Sequence, residues 1–161
     1  MFEPDRLLQH LTGRGVDFVV IGGIAVGVHG VVRATKDLDI VPRPDPENDQ
    51  RLAGALRELD ARMIGVDEPE QLPNQPTDPT GLAERGNFVL STKYGRVDVM
   101  QFAAGAPSYE ELGRDALRVA FREAIVKVCS LEHLKAMKRA AGRPEDLNDL
   151  EKLEAAHRAD D

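Results

Sequence analysis

With 161 residues, 42% of them hydrophobic, the chain is long enough for one domain of the usual size, about 100–200 residues, with a core of its own. A net charge of −7 gives no electrostatic footprint for nucleic acid, whose binders carry a basic stripe. The single cysteine, Cys129, excludes an intrachain disulfide and fits a reducing cytoplasm; the opening MFEPDRLLQHL is no signal peptide, and the glycine-interrupted stretch 16–32 is too broken to span a membrane.

In chain order, residues 4–12 are predicted as a helix, with Pro4 and Asp5 at its start and Leu7, Leu8 and Leu11 as its apolar stripe. Gly13 and Gly15 end it. A strand follows over 17–21, then a short glycine-rich helix to about His29, then a segment over 33–41 stopped by Pro42-Arg43-Pro44. Residues 45–62 read as a helix capped by Asp45, with Leu52, Leu56 and Leu59 at helical spacing.

Residues 66–81 hold four prolines and few apolar residues, the composition of a long loop, which is either a lid or a plain exposed connection. Residues 88–92 and 96–102 read as a hairpin around Lys93-Tyr94-Gly95. A brief helix is predicted at 108–112 and a last strand at 124–129. Ser130 caps a helix that stops near Gly142, and Pro144 opens a final helix to about residue 158 with Leu147, Leu150 and Leu153 inward.

The stretch VVIGGIAVGVHGVVRATKDLDIV, residues 19–41, carries the chemistry. On a strand, alternate side chains share a face, so Asp37 and Asp39 point one way while Leu38 and Ile40 point to the core. Two carboxylates this close repel each other unless a cation sits between them, and hard divalent ions take carboxylates together with phosphate oxygens. Upstream, Gly22 and Gly23 break a strand into a helix, where a backbone without Cβ atoms lets a phosphate approach the N–H groups. In the later hairpin, Val97 and Val99 take the core side and Asp98 faces the other way with Arg96 and Met100. Asp98 joins the pair if the two strands are neighbours.

Ile21-Gly22-Gly23, the H-G-x-x-R-x-T segment from His29 to Thr35, and Asp37-Leu38-Asp39-Ile40 resemble the nucleotidyltransferase superfamily that includes DNA polymerase β, within it the small bacterial minimal and toxin-like (AbiEii-like) type. Many members carry Gly-Ser where this chain has Gly22-Gly23, so one hydroxyl is missing. The resemblance implies an α+β fold, a mixed twisted sheet flanked by helices with a helical C-terminal segment. It implies one domain, with a nucleotidyltransferase core over about 1–115 and a strand plus helices over about 116–161. It also implies a Mg²⁺-dependent adenylyltransferase chemistry: Asp37, Asp39 and Asp98 as catalytic ligands of two Mg²⁺ ions (Mn²⁺ as substitute), with a nucleoside monophosphate passing from an NTP, ATP first, to an acceptor hydroxyl. Asp98 is a candidate for the proton acceptor as well, ranked below its metal role. Gly22, Gly23, Arg33, Thr35, Lys138 and Arg143 are the implied nucleotide-binding residues, with Asp146 and Asp149 holding the arginine; a plain i, i+3 surface pair of Arg143 and Asp146 is the bland alternative.

The acceptor is left open among an aminoglycoside-like or other small hydroxyl compound, a protein hydroxyl, and the end of a tRNA. For RNA, a local basic patch would have to come from Arg118, Arg122, Lys138, Arg139 and Arg143. A homodimer or an antitoxin partner fits the same reading, and the expected location is the cytoplasm. The rival reading is a non-catalytic member that binds nucleotide or a partner. A dinucleotide fold fails because the glycines around Gly27 and Gly30 lie inside or after the short helix, and no G-K-[ST] follows for a P-loop. His10, His133 and His157 show no ligand spacing, His29 is expected to end the short helix, and Cys129 is expected as a buried hydrophobe.

Overall fold

The computed structural model describes residues 1–158. The order is α1 Pro4–Gly13, β1 Phe18–Ile21, α2 Gly22–Val28, β2 Asp37–Pro42, α3 Pro46–Glu58, β3 Arg62–Met63, a 3₁₀ turn at Pro69–Gln71, α4 Pro79–Ala83, β4 Asn87–Thr92, β5 Gly95–Met100, α5 Tyr109–Arg114, β6 Leu117–Phe121, β7 Ala124–Val128, α6 Leu131–Ala141 and α7 Pro144–Ala156. This is an α+β architecture: one mixed sheet in the order β3-β4-β5-β2-β1-β7-β6, flanked by helices.

Local chemistry sets most boundaries. Proline opens α1, α3, α4 and α7, where its missing N–H has no intrahelical partner to lose. Asp45 accepts from the Asn48 N–H at 2.8 Å, Ser108 from Glu111 and Ser130 from His133, so each capping side chain satisfies a donor the helix leaves free. α6 ends on Gly142 in the left-handed region (φ 64°), which glycine adopts without a Cβ clash.

β1 is buried along its whole length because it lies between β2, antiparallel, and β7, parallel. β2 in turn pairs in parallel with β5, Asp39 opposite Asp98 and Leu38 opposite Val97. Leu38, Ile40, Val97 and Val99 are fully buried in a core shared with Leu7, Leu8 and Leu11 of α1 and Leu52 and Leu56 of α3. α2 packs on β1 and β2 and against α6, which packs on α7.

Several expectations need correction. α3 stops at Glu58 instead of running to residue 62, because Asp60 takes a positive φ and Arg62–Met63 joins the sheet beside β4. The proline-rich segment is not featureless: it holds the 3₁₀ turn and the start of α4, and Arg57 of α3 donates to the Thr77 carbonyl at 2.7 Å. β6 was not anticipated; it pairs with β7 through the tight Arg122-Glu123 turn and forms one edge of the sheet. In α7 the inward face is Asp146, Asp149 and Leu153, while Leu147 is 50% exposed. The two acids go inward because cations of other segments meet them there. No helix among the described residues is long and apolar enough to cross a membrane.

Candidate active site

Parallel pairing of β2 with β5 decides the site. Asp37 stands opposite Arg96 and Asp39 opposite Asp98, so all four side chains share one sheet face. The three carboxylates supply oxygens that all lie within 4.8 Å of one another. Burial first, then the charges of Asp37 and Asp98, push the Asp39 carboxyl up to about 8. An all-oxygen acidic cluster whose central carboxyl, Asp39, resists ionisation suits a hard divalent cation, so the residues fit the metal implied by the sequence.

Gly22 follows β1 directly, with φ 71°. A Cβ there would lie 2.0 Å from Asp39 Oδ2, and one at Gly23 would meet Thr35 Oγ1 at 3.0 Å. The double glycine therefore makes room for the acid and the threonine, a reason additional to the phosphate approach expected from sequence.

Arg33, Thr35, Lys138 and Arg143 line the same cleft of about 610 Å³ as Gly22, Gly23 and the three acids, so the structure brings together the residues expected to bind metal and nucleotide. Arg33 pairs with Asp149, which also takes Lys138 at 2.9 Å. Asp146 receives Lys138 at 3.3 Å and the Arg143 Nε at 2.7 Å, and it accepts from the Arg143 backbone N–H at 3.2 Å. Asp146 is 1% exposed and Asp149 4%. Burial would raise the Asp146 carboxyl, but Arg143 and Lys138 outweigh it and hold it below the usual carboxylate range. The two acids fix three cations along one wall, more than an i, i+3 surface pair does.

Sequence reasoning missed three features. Arg96 binds both oxygens of Asp98, Nε to Oδ1 at 2.8 Å and Nη2 to Oδ2 at 2.9 Å, and the i, i+2 spacing on one strand was the available signal. Asp149 pairs with Arg33 and Lys138 and not, as expected, with Arg143, which Asp146 holds; only the tertiary fold creates that sharing. Met100, Leu134 and Met137 form an apolar part of the cleft. No residue of the proline-rich segment is among those lining the cleft.

The remaining candidates fall outside. His29 ends α2 as expected, and its Nε2 lies 2.8 Å from the Cys129 carbonyl. Cys129 is fully buried and its thiol is pushed up to about 12 by desolvation. The five-residue basic patch does not assemble: Arg122 pairs with Asp5, Arg139 with Glu154, and β6, which carries Arg118, stands three strands from β2.

No protein-family model matches the sequence, and no curated protein matches it. In structure, the chain is similar to the antibiotic-resistance factor ANT(2'')-Ia in solution, with a TM-score of 0.59 and 14% identity over 98% of this chain and 84% of that one. A crystal structure of ANT(2'')-Ia in complex with adenylyl-2''-tobramycin gives 0.56 and 14% identity over 96% of this chain and 87% of that one. A Thermotoga maritima protein assigned as a nucleotidyltransferase gives 0.58 and 18% identity over 94% of each chain. The chain has the nucleotidyltransferase fold.

Proposed function

We propose that this protein transfers a nucleoside monophosphate, from ATP in the first instance, to an acceptor hydroxyl, with the described residues acting as one domain. The observation that carries this reading is the convergence of Asp37, Asp39 and Asp98 from neighbouring strands beside a cleft walled by Arg33, Lys138 and Arg143. Magnesium ions held by the three carboxylates would neutralise the triphosphate and polarise the acceptor hydroxyl, as in two-metal sites generally.

The chain's own residues do the rest. Arg33, Lys138 and Arg143 bind phosphate oxygens, and a guanidinium can do so bidentately. Gly22 and Gly23 let Asp39 and Thr35 stand directly against the backbone at the start of α2, at the edge of the cleft. Asp98 serves first as a metal ligand, its carboxylate oriented by the Arg96 fork, and a proton-accepting role ranks below that one. Positioning and charge neutralisation carry most of the acceleration in transfers of this class.

A small polyhydroxyl or aminocyclitol-type acceptor is favoured, since the similar ANT(2'')-Ia is found with adenylyl-2''-tobramycin and, of the basic groups an RNA would need, Arg122 and Arg139 are paired with Asp5 and Glu154. The test is pyrophosphate release from each NTP with Mg²⁺ and an acceptor panel that includes aminoglycosides, comparing wild type with Asp37→Asn and Asp39→Asn. Both variants should lose transfer while remaining folded; undiminished release in Asp39→Asn would contradict the assignment.

A further inference from the structure

We infer that Arg96 is a displaceable counter-ion of the acidic cluster: it competes with the divalent cation for Asp98 and thereby sets how tightly the ion is held. This rests on the metal-site reading of the three aspartates and goes beyond it, because it assigns a positioning role to a residue outside the ligand set.

Three observations carry it. Register puts Arg96 across from Asp37 and two residues from Asp98 on the same face, so its guanidinium is the strand-borne positive charge beside three carboxylates. Both Asp98 oxygens are held in a fork at 2.8 and 2.9 Å, the bidentate geometry that makes guanidinium–carboxylate pairs strong and directional. The two partners are unequally placed: Asp98 is 8% exposed as a residue, whereas the Arg96 side chain is 47% exposed, so the arginine can withdraw to water without breaking the core.

A cation entering between Asp37, Asp39 and Asp98 finds the third ligand already bonded on both oxygens, with a like charge beside it. Binding therefore works against that like charge, and the fork loosens as the ion draws on the same oxygens. In the cation-free protein the same fork offsets part of the repulsion among the acids. Arg96 thus stabilises the empty cluster and weakens the filled one, and the two effects are linked.

The test is calorimetric titration of the intact protein with MnCl₂, without nucleotide, for wild type, Arg96→Met, Arg96→Lys and Asp98→Asn, alongside thermal melts with and without Mn²⁺. Arg96→Met keeps much of the stem's packing but removes the charge and the fork. It should bind Mn²⁺ about tenfold tighter than wild type, as expected for losing one competing charge-assisted pair. Its cation-free melting temperature should fall and its Mn²⁺-induced rise should exceed that of wild type. Arg96→Lys, which keeps the charge without the fork, should fall between them and serves if Arg96→Met is poorly folded. Mn²⁺ affinity in folded Arg96→Met or Arg96→Lys equal to or weaker than wild type, with Asp98→Asn still reducing binding, overturns the inference alone. Failure of wild type and both arginine variants to bind Mn²⁺, or binding unaffected by Asp98→Asn, overturns the metal-site reading with it.

Discussion

Replacing Asp39 with asparagine should make the cation-free protein more stable at alkaline pH, although it removes a residue from the centre of the site. The Asp39 carboxyl is raised from an ordinary 3.8 to about 8, by burial first and by Asp37 and Asp98 next. A raised folded-state value means that stability present at low pH is lost as pH rises toward 8, because the unfolded chain has released a proton that the folded chain still holds. Over the three units from pH 5 to pH 8, at 1.36 kcal/mol per unit, the ceiling is about 4 kcal/mol. The cleft is open to water, which screens these charges, so about 2 kcal/mol is expected, or roughly 4–8 °C in melting temperature for a chain of this size. The assay is a set of thermal melts at pH 5, 6, 7 and 8 in chelator. Wild type should lose stability across that range, Asp39→Asn should lose less than half as much, and saturating Mn²⁺ should flatten the wild-type slope. Equal slopes for wild type and Asp39→Asn would refute the reasoning.

Gly22→Ala places a Cβ 2.0 Å from Asp39 Oδ2 on a backbone with φ 71°, so it should cost at least about 2 kcal/mol in urea unfolding and also abolish Mn²⁺ binding. Asp149→Ala leaves the buried Lys138 with Asp146 alone and Arg33 without its acid; a loss of about 3 kcal/mol by denaturation is expected, with Asp149→Asn intermediate. Arg143→Ala should change stability by no more than about 1 kcal/mol, since its side chain is largely exposed, yet weaken NTP binding about tenfold in equilibrium titration.

The chemistry of this chain was legible where it is local. The Asp37-x-Asp39 alternation, the paired glycines, the capping residues Asp45, Ser108 and Ser130, and the hairpin carrying Asp98 each follow from short-range rules of strand, turn and helix end. The meeting of Asp98 with Asp39 was only conditional, because the pairing of β2 with β5 joins segments about sixty residues apart. β6 escaped notice because an edge strand with exposed residues on both faces gives little hydrophobic alternation. The inward face of α7 was misassigned to Leu147 for a related reason: hydropathy sends leucine inside and aspartate outside unless the fold brings cations to the aspartates, as Lys138, Arg143 and Arg33 do here. The double glycine was read for the ligand it admits, while the crowding of Gly22 by Asp39 needed coordinates.

The most direct measurement is anomalous diffraction from crystals of the protein with MnCl₂ and a non-hydrolysable ATP analogue. The account predicts manganese peaks about 2 Å from carboxylate oxygens of Asp37, Asp39 and Asp98, with the triphosphate running toward Arg33, Lys138 and Arg143. Nucleotide bound in that cleft with no manganese at the three aspartates, or manganese held by other residues, would contradict it.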